Sequence, residues 1–502
     1  MHDLWIVLVA PALMLVLLLA GRRWPVVDQP RWSALAYVLP FALACLLAFP
    51  SLDDWSYGAS GRHGWWAAQH DWYVGWSGRI ATTAVITAWG DLGSPWFAAT
   101  IGYRAVVVAF FAGTCWAVWD VMGAACPRIE ARHRRVLALI ATAGWISLLR
   151  SPVESLYWLP GITSYGMGSI CALVACGSLL RAPDCPRWRW WMALAALGAA
   201  CLSGEVVAAL ALAAVAGATA VRLRGRDRWR GLAVLAGGLL CTAALVLAPG
   251  NATRALHALQ EGQPPIDHAP LALARSSLGL MLDFITDAPW APLAALGAWV
   301  AWISPAREPF TGGRILLLVP AFILVAALPM AWAGMSPGRA WNPLAMSSAV
   351  IVVIAAWRGG PRLAIPLALV GGAALFHGLP PGPDCLLVAL GAWAGAMGAV
   401  WLLRRRLDGR ILASALGAAL LLGSERFIAV PAQLAQGPQY AMEQQRRMTM
   451  LAGAAPGSAV IIPRLTGEER CFYHLGDLNS SAKSWQNQGC ASFFGLESVR
   501  TR

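Results

Sequence analysis

The sequence predicts an all-α polytopic membrane protein, and three observations carry that prediction. Hydrophobic residues make up 58% of the 502-residue chain and charged residues 13%, against roughly one half and one quarter in soluble globular proteins. Apolar runs near the roughly 20 residues that a helix needs to cross a bilayer recur along its length. The basic residues between those runs are arginines in short bunches, with Lys483 the one lysine. The formal charge is +13, from 38 Lys+Arg against 25 Asp+Glu. A nucleic-acid partner is not expected, because it would need those arginines on one soluble face.

An excess of basic residues marks the cytoplasmic loops of a membrane protein. The bunches are Arg22/Arg23/Arg31, Arg128/Arg132/Arg134/Arg135, Arg181/Arg187/Arg189, Arg222/Arg224/Arg226/Arg228/Arg230, Arg307/Arg314, Arg358/Arg362 and Arg404/Arg405/Arg406/Arg410. All fall on one side if spans lie at about 4–20, 33–50, 100–124, 136–150, 159–180, 190–203, 206–221, 231–248, 289–304, 315–333, 342–357, 363–378, 386–403 and 411–424. That is a bundle of about 12–14 helices with the N-terminus outside. The first run lacks a basic segment before it and is followed by further spans, so it reads as a span rather than a signal peptide. The chain then divides into a transmembrane domain, 1–424, and a small external domain, 425–502. External loops are expected at 51–98, 151–166, 249–288 and 334–341.

The external loops hold most of the unusual side chains. The first follows the span 33–50 with Asp53 and Asp54 side by side, then Trp55 and Tyr57, and later His63, His70 and Arg79. Adjacent carboxylates where a helix leaves the membrane are costly to crowd and desolvate, which makes them candidates for chemistry or ion binding. Residues 80–97 read as a helix lying along the membrane surface. The next loop carries Glu154, Tyr157, Trp158 and Tyr165. Residues 190–221 go out and return between two arginine bunches, which puts Glu205 at the apex of a hairpin. Asn251, Arg254, His257, Asp267 and His268 follow in the fourth loop, and Arg339 lies in a short, otherwise uncharged fifth.

Each feature also has a plain reading. Tryptophans at span ends form an interfacial belt. An aspartate or Glu205 caps a helix, and Arg254 or Arg339 snorkels to lipid headgroups. An ionisable group at the turn of a short hairpin should nevertheless face a cavity rather than lipid, which favours a functional Glu205. The histidines show no HxxH or HExxH spacing, and no P-loop, GxSxG or GxGxxG constellation stands out. Of the 11 cysteines, Cys45, Cys115, Cys171, Cys176, Cys201 and Cys241 lie in apolar spans, where cysteine behaves as a small hydrophobe. Cys126, Cys185 and Cys385 make no CxxC pair. Cys471 and Cys490 fall in the external tail, where a disulfide between them is possible in an oxidising space. The tail reads as a helix over 437–453 and a small α/β cap with two strands, one at Val460-Ile461-Ile462, docked over the outer loops.

The order LDDWSYG, WSGR (Trp76 to Arg79), ESLYWLPG (Glu154 to Gly161), SGE (Ser203 to Glu205), APGNATR (Ala248 to Arg254), PGRAWNP (Pro337 to Pro343) and a tail with WQNQ before SFFGLESV resembles a family of bacterial polytopic proteins. That family in turn resembles the GT-C superfamily of polyprenyl-phosphate-sugar-dependent glycosyltransferases, which includes O-antigen glucosyltransferases. The resemblance runs over nearly the whole chain and implies a GT-C-like helix bundle in the bacterial inner membrane, with its active site facing outward. It implies a polyprenyl-phosphate-linked sugar as donor and a glycan or lipid-linked acceptor, with Asp53 or Asp54 as the catalytic carboxylate. A base there would take the proton of the attacking hydroxyl. Arg339, Arg254 and Arg79 would neutralise the leaving lipid phosphate. Glu154, Glu205 and Asn251 would bind acceptor or sugar hydroxyls, and Trp55, Tyr57, Tyr157, Trp158 and Tyr165 would contact or stack on sugar rings. A divalent cation, magnesium or manganese, is a possible cofactor held by Glu154 or Glu205. A transporter or lipid flippase using the same acids as an ion relay is the alternative. It would want charges in mid-span and broken helices, whereas only Asp283 and Asp287, in an amphipathic segment, depart from the pattern of acids at outer ends. A membrane acyltransferase built on His63, His70, His257 or His268 finds no supporting motif.

Overall fold

The computed structural model describes residues 30–181, 186–260, 269–287, 290–305, 309–334, 338–364, 425–466 and 473–502, with isolated residues 12, 13, 16, 366, 367, 415, 418, 419, 421 and 422. The expected spans at 4–20 and 386–403, and most of 363–378 and 411–424, fall outside these residues, as do Cys185, Asp267, His268, Cys385 and Cys471. Among the described residues six helices are long and apolar enough to cross a membrane: Pro95–Ala125, Leu159–Leu180, Glu205–Arg222, Gly225–Val246, Thr311–Trp332 and Gly338–Leu363. Shorter apolar helices cover Arg31–Leu47, Ile80–Gly90 and Trp290–Ile303. The chain is an all-α polytopic membrane protein, as its composition predicts.

Helix α1 (Pro30–Ala44) continues through a 3₁₀ turn at Cys45–Leu47 and ends in the extended residues that lead to Asp53. The region expected as loop 51–98 is mostly helical: α2 (Asp53–Arg62), α3 (Trp65–Gly75) and α4 (Ile80–Gly90) precede the first long span, α5 (Pro95–Ala125). Helices α2 and α4 cross in backbone contact. A Cβ on Gly90 would collide with the Gly58 carbonyl, and one on Gly61 with the Thr87 carbonyl. Small residues at a crossing allow that approach, and here they press the acid-bearing helix onto its neighbour. Helix α5 starts earlier than expected because Ser94 caps it, accepting from the Phe97 N–H at 3.2 Å, with Pro95 at the first position. Proline is tolerated there because that N–H has no helical partner anyway.

The remaining membrane helices alternate in direction. Helix α6 (Ala131–Leu148) leaves an arginine bunch and leads to α7 (Pro152–Leu156), and α8 (Leu159–Leu180) returns to Arg181. Helices α9 (Trp188–Cys201), α10 (Glu205–Arg222) and α11 (Gly225–Val246) repeat the pattern, and α12 (Pro249–Gln260) and α13 (Pro270–Asp287) occupy most of the region expected as a fourth loop. Helices α14 (Trp290–Ile303), α15 (Pro309–Leu316) and α16 (Leu318–Trp332) follow, and α17 (Asn342–Gly359) ends at the Arg358 bunch. One end of the bundle is therefore arginine-rich, and the other gathers Asp53, Glu154, Glu205 and the turns around them. Arg181 Nη1 meets Asp120 Oδ2 at 2.7 Å and ties α8 to α5 at the arginine-rich end, so Asp120, like Asp227 beside Arg230, departs from the expected placement of acids at outer span ends.

Helix α18 (Glu425–Gly453) is longer than the expected 437–453. Strand β1 (Ala459–Ile462), helix α19 (Trp485–Phe494) and strand β2 (Ser498–Thr501) complete the tail, with the strands parallel and Ala459 opposite Ser498. Helix α19 packs on α2. Phe493, 1% exposed, stacks on Trp89 at 5.5 Å between centroids and meets Trp55 edge-on at 5.4 Å. Behind this contact the tail buries a polar cluster, Arg447 with Asp477 at 2.7 Å and Tyr440 with His474 at 2.8 Å. Burial, with Arg447 nearby and against the pull of Asp477, brings the His474 pKa down to about 4. Cys490 is fully buried there.

Candidate active site

The two aspartates separate at once. Leu52, with φ 49° and ψ −120°, turns the chain sharply before α2; such a conformation costs a non-glycine residue about 1–3 kcal/mol. It sets both acids in the first helical turn, where the helix dipole favours negative charge. Asp54 points inward with no exposed surface, and its Oδ2 accepts from the Ser51 N–H at 2.8 Å and contacts the Tyr103 hydroxyl at 2.9 Å. Asp53 stays partly exposed and has no hydrogen-bond partner among the described residues. Burial pushes its carboxyl above the usual range, against the opposing pull of Arg339.

Arg79, Glu205 and Arg254 come from three separate stretches of chain. The 76–78 turn lies against the α11–α12 junction, where a Cβ on Gly78 would collide with the Leu245 carbonyl and one on Gly250 with the backbone of Trp76 and Ser77. The start of α4 grips the turn before Glu205 through Ala81 N–H to the Leu202 carbonyl at 3.2 Å and Thr82 Oγ1 to the Ser203 carbonyl at 3.0 Å. Glu205 then bridges two guanidinium groups, with Arg79 Nη2 at 2.8 Å from Oε2 and Arg254 Nη2 at 3.7 Å from Oε1. Burial depresses the Arg79 pKa, but Glu205 more than reverses this and holds it above the ordinary value. Arg254 is held less well: burial and then Arg79 depress its pKa, and Glu205 opposes them only in part. The trio carries one net positive charge.

The second cationic arm is Arg339, in the 3₁₀ turn Gly338–Trp341 before α17. Trp145 Nε1 donates to Asn342 Oδ1 at 2.6 Å in the core and fixes this turn. Ser151 caps α7 and accepts from the Glu154 N–H at 3.4 Å. The spacing is that of a capping box, yet Oε2 of Glu154 accepts from the Arg339 backbone N–H at 3.2 Å and faces its Nη1 at 3.5 Å. The Arg339 guanidinium lies over the Trp158 ring at 4.8 Å. The five charged side chains of these two groups are 21–31% exposed, so none of them is sealed in the core.

Tyr57 links the parts. Its ring stacks on Trp72 at 4.1 Å. Burial and then the Asp53 charge push its pKa up to about 12 against the influence of Arg79, Arg254 and Arg339. Tyr165 lies in the electrostatic range of Arg79 and Arg254. It belongs to a π-helical stretch of α8, Ile162–Met167, an irregularity frequent at functional sites.

Several expected roles need correction. Trp55 is 2% exposed, packed by Phe493 and Phe494, and Tyr157 is 2% exposed with its hydroxyl donating to the Phe41 carbonyl at 2.9 Å. Trp158 and Tyr165 are buried too, and Arg339 already covers the Trp158 ring. None of these four offers a free face on which a sugar ring stacks. Asn251 turns its amide to the Leu245 and Val246 carbonyls at 2.8 and 3.2 Å, so that amide caps α11. The expected divalent cation does not fit the carboxylates proposed for it: Glu154 and Glu205 face guanidinium groups, and no cluster of three or more His, Cys, Asp or Glu suits a metal among the described residues. Tyr103 was not foreseen because it sits at the start of an apolar span with no motif around it. Its partnership with Asp54 exists only across 49 residues of chain.

No family model matches the sequence, and no curated protein matches it. Among solved structures, the crystal structure of ArnT from Cupriavidus metallidurans bound to undecaprenyl phosphate is similar at a TM-score of 0.42 and 16% identity, over 94% of this chain and 85% of that one. So distant a likeness assigns no residue here.

Proposed function

We propose that this protein is a membrane glycosyltransferase that moves a sugar from a polyprenyl-phosphate donor to a hydroxyl of a cell-envelope glycan or lipid-linked acceptor. The observation that carries the reading is the Arg79–Glu205–Arg254 trio, one positive charge in excess, with the Asp53 carboxylate in range of Arg339 and Tyr57 in range of all four groups, Asp53, Arg79, Arg254 and Arg339. A lipid phosphate is the anion that reaches such a trio at the end of membrane helices, and an acceptor hydroxyl is what a free carboxylate there activates. The motif order described above supports the same reading. With the arginine-rich helix ends cytoplasmic, the site faces outward from the bacterial inner membrane.

In this reading Asp53 is the base, since Asp54 is sealed from any substrate. Asp53 accepts the proton of the acceptor hydroxyl as that oxygen bonds to the anomeric carbon. The bond from that carbon to the phosphate oxygen breaks, and its electron pair stays on the phosphate. Arg254, the less firmly paired guanidinium, takes the developing charge with Arg79, and Arg339 closes from the Glu154 side. A single displacement of this kind inverts the anomeric centre. Glu205 and Glu154 aim the arginines. Tyr57 remains as the aromatic residue beside substrate.

The test is transfer of radiolabelled sugar from a panel of polyprenyl-phosphate hexoses and pentoses to extracted lipid-linked glycan, using purified protein and the variants Asp53→Asn, Arg254→Ala and Arg339→Ala. The reading requires transfer by the wild type and its loss in folded Asp53→Asn. If no donor in the panel is consumed, it fails.

A further inference from the structure

Asp54 belongs to a short chain of oxygens buried between α2, α5 and the α7–α8 turn. The Tyr103 hydroxyl lies 2.9 Å from Asp54 Oδ2 and 2.8 Å from the Tyr157 carbonyl oxygen. Both are hydrogen-bond distances, and two such contacts in a row need two protons. Tyr103 supplies one, and a carbonyl supplies none. If Asp54 were ionised, one contact would set oxygen lone pairs against each other in the protein interior with no hydrogen between them. A proton on Oδ2 removes the conflict: Asp54 donates to Tyr103, and Tyr103 donates to the Tyr157 carbonyl. The Ser51 N–H, 2.8 Å from the same Oδ2, uses a remaining lone pair.

The surroundings agree. Oδ1 is buried without a hydrogen bond, a heavy cost for half of a carboxylate and a small one for the carbonyl of an acid. The leading influences on Asp54 besides burial are the Ser51 N–H bonded to Oδ2, Tyr103 from α5, Asp53 from its own helix and, weakest, the backbone N–H of Leu159 at the start of α8, which makes no direct hydrogen bond to it among the described residues. There is no arginine, lysine or histidine among them. Burial raises its pKa well above the carboxylate range, Asp53 adds to this, and the hydrogen bonds oppose it.

We propose that Asp54 is a neutral carboxylic acid at physiological pH, a positioning residue that clamps the first turn of α2 to α5 and leaves Asp53 as the only charge of the pair. The deprotonated form would place two like charges on neighbouring residues, raise the Asp53 pKa further and, by drawing the one Tyr103 proton to the carboxylate, leave the contact between Tyr103 and the Tyr157 carbonyl without a hydrogen. The inference rests on the oxygen geometry and stands apart from the transferase reading.

Infrared spectroscopy of the full-length protein in lipid tests it without any substrate. At pH 7 the wild type minus Asp54→Asn difference spectrum should contain a carboxylic C=O stretch that moves to lower frequency in D₂O. Asp53→Asn should keep that band. Absence of the band from the difference spectrum of folded Asp54→Asn overturns the proposal. If Asp54→Asn does not fold, Tyr103→Phe decides: loss of the hydroxyl should shift the same band to higher frequency, and a carboxylic region unchanged from wild type refutes the assignment.

Discussion

Replacing Glu205 by glutamine keeps the shape of the side chain and removes its charge, which isolates what the carboxylate does between Arg79 and Arg254. The shorter contact, 2.8 Å to Arg79 Nη2, is a charge-assisted hydrogen bond worth about 1.5–3 kcal/mol. The longer one, 3.7 Å to Arg254 Nη2, is an ion pair worth about 0.2–1 kcal/mol. The side chains are 24%, 28% and 31% exposed, so solvent screens them, and glutamine retains one acceptor. We expect a net loss of about 1–3 kcal/mol, read as a lowered midpoint of thermal unfolding in detergent. Phosphate binding should move the other way, because the trio changes from one net positive charge to two. An added unit charge at ~5 Å in an effective dielectric near 20 contributes ~3 kcal/mol before solvent competition, and a third to a half of that is about a tenfold gain in affinity. Titration with polyprenyl phosphate, read as stabilisation of the folded protein, measures it. Unchanged stability together with unchanged or weaker phosphate binding would refute this account of the trio.

Other expectations follow from the same geometry. The Asp53 carboxyl, raised by burial against Arg339, acts as a base only when deprotonated, so transfer should rise with pH through a value above the ordinary carboxylate range. Asp53→Asn should lower turnover by about 10²–10⁴-fold, and an acid limb that survives in its residual activity would exclude Asp53 as its source. Because that pKa is raised in the folded protein, Asp53 favours folding below its unfolded pKa and loses this contribution as pH climbs through the folded one. Phe493→Ala removes a ring buried against Trp89 and Trp55; a cost of about 3–5 kcal/mol should free α19 from α2, detectable as new proteolytic cleavage in the tail, and an unaltered digest would contradict the packing. Gly90→Val sets a branched side chain on the Gly58 carbonyl and should displace α2, lowering both yield and donor binding, whereas a variant that folds and binds like wild type would deny the backbone crossing. His474, held down to about 4 by burial, stabilises the tail above its unfolded pKa near 6.5 and loses that contribution as pH falls toward 4. His474→Gln should flatten the acid dependence of tail proteolysis, and an identical profile would place the acid sensitivity elsewhere.

The sequence by itself determined that the chain is an apolar helical bundle with its arginine bunches at one end. Hydrophobic run length and arginine placement are local quantities that the bilayer reads directly. Glu205 at the head of a span and Arg339 in a turn were legible for the same reason, since an ionisable group has few tolerable positions near lipid. Which charges meet was not legible. Arg79 and Glu205 are 126 residues apart in sequence, and Glu154 and Arg339 are 185 apart. Only the glycine-permitted approach of the 76–78 turn to the α11–α12 junction, and the pinning of α17 by Trp145, bring them together. The aromatic residues misled for a related reason: Trp55 and Tyr157 look the same in sequence whether they await a sugar or fill a core, and burial by α19 and α1 decides it. Side by side in the chain, Asp53 and Asp54 are chemically equivalent. Tertiary structure makes one a solvent-reaching carboxylate and seals the other against Tyr103, because consecutive side chains of a helix point about 100° apart and only one direction faces the interior.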